Sequence, residues 1–180
     1  MDNISVSIIG ASGYTGGELL RLLLFHPNID IKQITSSTYY GKFAFKAHPN
    51  LRKVTSLKFC SVDELEKVDT LFLCTPHGES MKRIDDFRKL ADKIIDLSGD
   101  FRLNDVAEFE KWYHQPHLNP KMLDKFVYGI PELHREEMKN AKFISSAGCN
   151  ATTTILGLYP LYKNGLVEID RTVVEVKVGS

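Results

Sequence analysis

The sequence predicts an α/β fold: a Rossmann-type, doubly wound and mostly parallel sheet, followed by the opening of an α+β catalytic domain. Three observations carry the prediction. Apolar, β-branched runs alternate with helix-period stretches through most of the chain. The first run enters its helix through a glycine-rich turn, and the last, Phe143-Ile144-Ser145-Ser146, leads through Gly148-Cys149 into a helix that opens Asn150-Ala151-Thr152. The expected division is a nucleotide-binding domain over 1–148 and the start of a catalytic domain over 149–180.

Composition narrows the function classes. Lys plus Arg and Asp plus Glu are 23 each, so there is no broad basic field to concentrate nucleic acid, and any phosphate must be gripped locally. A hydrophobic share of 43% is enough for a substantial core. Cys60, Cys74 and Cys149 are odd in number, widely spaced and without a CxxC, which points away from a disulfide framework and a metal site. Neither a leader segment nor an apolar run of membrane-spanning length stands out, so a cytoplasmic protein is expected.

Taken in order, Ile4–Ile9 reads as the first strand. Gly10, Gly13 and Gly16 form GxxGxxG, a variant of the dinucleotide pattern that gives a tight turn, close backbone approach to a pyrophosphate and a phosphate seat at a helix N-terminus. Ser12, Tyr14 and Thr15 share that turn as candidate cofactor contacts. A glycine triplet alone is weak; between a strand and a helix it is a specific signal. The helix carries Leu19, Leu20, Leu22, Leu23 and Leu24 and should stop at His26-Pro27-Asn28. Residues 31–35 are the second strand, with Asp30 as a turn residue before it. Where NAD-preferring sites place an acidic residue, this chain offers Ser36, Ser37 and Thr38. Hydroxyls suit a 2′-phosphate that a carboxylate would repel, so NADP is the expected cofactor. Lys42 either adds a charge there or is an ordinary solvated lysine.

Residues 58–60 suggest a short strand, 63–67 an acidic helix start, and 68–74 a further strand with Cys74 in the core. That strand closes on Thr75-Pro76-His77-Gly78. Ligands gather outside the carboxyl ends of such strands, so Pro76 should lie by the cofactor, and His77 either lines a substrate site or serves the turn. A helix over 80–90 and a strand over 93–97 follow. Arg102, after Ser98-Gly99-Asp100-Phe101, is placed for a bidentate grip on a carboxylate or phosphate, or for pairing with Asp96 or Asp100. Residues 108–114 read as a packed helix with Trp112 in the core, 116–120 as a loop, 127–133 as a turn and 136–141 as a short helix. Cys149 then sits at a helix N-terminus, a placement that favours a nucleophilic thiolate; the plainer alternative is a small buried residue filling a gap. Residues 171–178 alternate, with Val174, Val176 and Val178 on one face, as a half-buried strand beginning a second sheet.

Gly10-Ala11-Ser12-Gly13-Tyr14-Thr15-Gly16, Pro76-His77-Gly78, Asp96-Leu97-Ser98-Gly99-Asp100-Phe101-Arg102, Tyr128-Gly129-Ile130-Pro131-Glu132 and Gly148-Cys149-Asn150-Ala151-Thr152 occur in order at specific intervals. In this the chain resembles the N-acetyl-γ-glutamyl-phosphate reductase family. It is more similar to the branch acting on aminoadipyl or glutamyl phosphates held by an amino-group carrier protein, because Asn150-Ala151 stands where the acetylated-substrate enzymes read Tyr-Pro. The resemblance implies NADPH-dependent reduction of an acyl phosphate to a semialdehyde through a Cys149 thioester, in lysine or arginine biosynthesis. It implies substrate contacts from His77, Arg102 and Asn150, the carrier protein as partner, and a homo-oligomer at full length. The family also draws an acid-base His from its second domain. His114, His117 and His134 do not match that motif, so this chain is expected to be a part of a longer enzyme.

Overall fold

Strand β1 (Ile4–Ile9) is buried over its last four residues because it is an interior strand of a sheet with helical layers on both faces. The computed structural model describes residues 3–178. They fall into two units, 1–146 and 147–180. In the first unit β1 is joined by β2 (Ile29–Thr35), β3 (Phe59–Cys60), β4 (Val68–Leu73), β5 (Ala91–Asp96), β6 (Phe126–Gly129) and β7 (Phe143–Ser146) in the order β3-β2-β1-β4-β5-β7-β6. Every pairing within this sheet is parallel. The doubly wound sheet expected from the alternation is therefore present, and its strand order reverses between β1 and β4, the place where such folds open a crevice.

The strand period divides the core between two faces. Val6 and Ile8 join Leu20 and Leu23 of α1 (Tyr14–Leu23), whereas Ile9, Leu71 and Leu73 join Met81, Ile84 and Phe87 of α2 (Ser80–Leu90). Residues at i, i+3 and i+6 of α2 thus point one way, and the charged residues between them stay in water. Helix α3 (Val106–Tyr113) starts on Asp105, whose side chain accepts from Glu108 N–H, and buries Phe109. Helix α4 is Pro131–Asn140.

Several expectations are corrected. Residues 127–133 are not simply a turn. Phe126–Gly129 is a strand, and Pro131 opens a helix longer than the one expected at 136–141. Trp112 is 65% exposed rather than core, its indole N–H donating to Glu108 at 2.7 Å. Asp30 lies inside β2, paired with Ser5, and α1 ends at Leu23. The second unit holds α5 (Cys149–Lys163) and a short 3-10 turn at Ile169–Arg171. No strand forms over 172–178: Val174, Val176 and Val178 are 47%, 41% and 65% exposed. An alternating segment becomes a strand only where another strand accepts its hydrogen bonds, and within this unit there is none among the described residues.

Candidate functional site

The glycine turn is built by close approach. Gly10 has φ +75°, and a Cβ there would stand 2.3 Å from Cys74 O on the neighbouring strand's exit. A Cβ on Gly16 would meet Gly10 O at 2.5 Å, so α1 can start against the turn only without a side chain at that position. Gly13 differs: its nearest neighbour would be 3.6 Å away, and the residue is exposed, so its surroundings leave room above it. It is the N-cap of α1, with no side-chain cap and no acidic residue in the first turn, leaving the helix N–H groups to an outside anion. Thr35 holds the turn from β2, its Oγ1 accepting from Gly10 N–H at 3.2 Å and its carbonyl from Ala11 N–H at 3.0 Å. Ser12 and Ser36 share a hydrogen bond of 2.8 Å across the turn. Tyr14 is fully exposed and Thr15 exposed.

A cleft of about 320 Å³ opens here, lined by Gly10, Ser12, Ser36, Ser37, Thr38 and Pro76 among others. Six of the ten residues named from sequence as cofactor contacts therefore share one wall system; Gly13, Tyr14, Thr15 and Gly16 lie on the adjoining turn and first helical residues. A second cleft of about 450 Å³ shares Ser36 and Ser37 and adds Tyr40, Ser61 and Asp63. Lys42 is exposed, its ammonium 5.5 Å from the Tyr39 ring centre. The residues present fit a dinucleotide: an uncapped helix start for the pyrophosphate, hydroxyls at the end of β2, and an apolar floor from Ile9 and Phe87.

The exits of β4 and β5 are sewn together. His77 Nδ1 accepts from Gly99 N–H at 2.6 Å, which leaves the proton on Nε2 and the ring edge exposed. Asp100, fully buried, accepts from Gly78 N–H at 2.6 Å and Met81 N–H at 2.9 Å, capping α2 from another loop. Asp96 accepts from Ser80 and Ser98 hydroxyls; burial outweighs those bonds and pushes its carboxyl up to about 6. Arg102 pairs with neither aspartate. Its Nε donates to Ser146 O at 2.9 Å and its Nη2 to Leu97 O at 3.0 Å, tying the ends of β5 and β7.

In the second unit Cys149 is exposed and is the first residue of α5, with Gly148 as an N-cap that offers no side chain. Its thiol lies 3.7 Å from Asn150 Oδ1. Burial raises the Cys60 thiol and pushes that of Cys74, half-covered above the core, to about 12.

The roles of three residues of this region are not legible in the sequence. His48 Nε2 donates to Ala11 O at 2.7 Å with its ring packed on Gly17. Asp100 caps α2, and Arg83 lines both clefts. Each acts on chain at least fifteen residues away, where local patterns carry no signal.

Sheet order, glycine turn and cleft together define a dinucleotide-binding Rossmann domain. The chain belongs to the semialdehyde dehydrogenase family, whose NAD binding domain matches residues 5–141, so this part of the chain is a domain for a nicotinamide cofactor. Over 98% of its length it is 57% identical to a Thermomicrobium roseum protein that carries the name LysW-L-2-aminoadipate 6-phosphate reductase, of which it covers 51%. It is 47% identical, over 99% of its length and 52% of the relative's, to the LysW-L-2-aminoadipate/LysW-L-glutamate phosphate reductase of Saccharolobus solfataricus. The chain thus spans about half the length of these curated relatives. Among solved structures, aspartate semialdehyde dehydrogenase II of Vibrio cholerae shares the fold, with a TM-score of 0.66 and 19% identity over 91% of this chain and 43% of that one. Among the described residues no helix is long and apolar enough to cross a membrane.

Proposed function

We propose that this chain is the cofactor-binding part of a cytoplasmic NADPH-dependent reductase acting on an aminoadipyl or glutamyl phosphate carried by an amino-group carrier protein. The observation that carries the reading is the position of Cys149: exposed, first in α5, three residues after β7 ends. Residues 1–148 form the NADP-binding domain, and 149–180 begin the catalytic one. The names of relatives at 57% and 47% identity support the carrier-linked substrate.

In this reading the α1 N-terminus, with Gly13, Tyr14 and Thr15, holds the pyrophosphate, and Ser36, Ser37 and Thr38 bond the 2′-phosphate. When bound, the cofactor supplies a hydride. The Cys149 thiolate attacks the acyl carbon; the C–S bond forms, the bond from carbon to the phosphate oxygen breaks, and phosphate leaves with the electron pair. With that hydride supplied to the thioester carbon, Cys149 would leave as the thiolate when the C–S bond breaks, and the semialdehyde would be released. His77 and Asn150 contact the substrate. Arg102 acts through the ends of β5 and β7, holding the strand that leads to Cys149. A comparison of carrier-linked aminoadipyl phosphate with N-acetylglutamyl phosphate, on protein of the relatives' length, tests the substrate. NADPH oxidation is expected with the first, and a preference for the second overturns the carrier assignment.

A further inference from the structure

The two clefts meet at Ser36, Ser37, Val62 and Arg83, and Arg83 is the one cation among their described lining residues. We infer that Arg83, on α2 and far in sequence from the β2 exit, is the cationic anchor for the cofactor's 2′-phosphate and the residue that sets preference for NADP over NAD. The inference rests on the proposed NADP site and deepens it.

Hydroxyls at 36–38 can bond a phosphate, but they bring no charge to balance a group of about −1.5 to −2 near neutral pH. Something cationic within reach has to do that. Arg83 is held in place without being used up. One N–H reaches Asp63 Oδ1 at 3.1 Å, and the guanidinium centre sits 5.4 Å from the Phe87 ring centroid. Its side chain is 44% exposed and lines both clefts. The single contact with Asp63, itself 81% exposed, is a weak surface pair that an incoming dianion can displace. A planar fork of five donors then matches the phosphate geometry. Asp63 also opposes an anion there, so it tunes the site in the reverse sense.

Fluorescence titration of NADPH and of NADH, on the full chain, tests this in wild type, Arg83→Met and Asp63→Asn, with thermal melts to report folding. Arg83→Met should weaken NADPH about ten- to hundredfold and leave NADH within about twofold. Asp63→Asn should tighten NADPH by a few-fold without changing NADH. Equal losses of both cofactors in Arg83→Met overturn the inference, because they would mean stacking on the adenine or support of the fold. Retention of NADP preference in that variant overturns it too, while leaving the cofactor reading intact. A wild type that binds NADH as tightly as NADPH sinks both. Should Arg83→Met fail to fold, unchanged NADPH affinity in Asp63→Asn overturns the inference on its own.

Discussion

Asp100 is a buried side chain whose carboxyl accepts two backbone N–H groups at the start of α2 and has no cationic partner among the described residues. Asp100→Ala strands those donors, and we expect a loss of about 2–4 kcal/mol in urea unfolding; a loss below about 1 kcal/mol contradicts the capping role. Its neighbour Asp96 has a folded value near 6, above its ordinary 3.8. The folded state therefore holds that proton more tightly than the unfolded chain. The stability contributed by the protonated form is present below about pH 4 and lost as pH rises through about 6. Relative to Asp96→Asn, wild type should lose on the order of 2 kcal/mol between those limits; a pH-independent difference rules this out. The thiols separate by exposure: iodoacetamide should label Cys149 at least about tenfold faster than Cys60 or Cys74, and equal labelling in the native fold argues against a reactive Cys149. At this scale the sequence was readable where chemistry is local. Ser36, Ser37 and Thr38 follow directly from the end of β2, whereas the partners of Asp100, His48 and Arg83 come from other loops and leave no local trace.

The turn between β1 and α1 supports a prediction about the element itself. Gly16→Ala drives a methyl into Gly10 O and should cost about 1–3 kcal/mol along with cofactor binding. Gly13→Ala meets only ordinary contacts, so stability should change by under about 1 kcal/mol while cofactor affinity falls. Equal destabilisation by both would mean that Gly13 serves packing and not ligand approach. The elements that sequence foresaw, β1 with α1 and β4 with α2, have full-length periodic patterns between clear stops. β6 was hidden because its four residues end in Gly129 and run straight into Ile130-Pro131, which looks like a turn; the strand exists because β7 pairs with it. Residues 171–178 are the converse case, a strand pattern without a neighbouring strand in their unit. Trp112 shows the same limit: its amphipathic ring found Glu108 on its own helix and stayed outside.

For the molecule as a whole, the parallel sheet places the exits of β1, β2 and β4 on one edge, which is why a cleft forms from residues spread between Ile9 and Phe87. Alternation of strand and helix made this topology legible, since right-handed crossovers leave few ways to order a parallel sheet. The proposed reductase activity is decided by steady-state NADPH oxidation with carrier-linked aminoadipyl phosphate. The comparison is wild type against Cys149→Ala, in protein of the relatives' length, with NADPH affinity measured alongside. Wild type should turn over, and Cys149→Ala should lose at least about a thousandfold in turnover with NADPH binding unchanged. Turnover within about tenfold of wild type in Cys149→Ala would contradict the proposal.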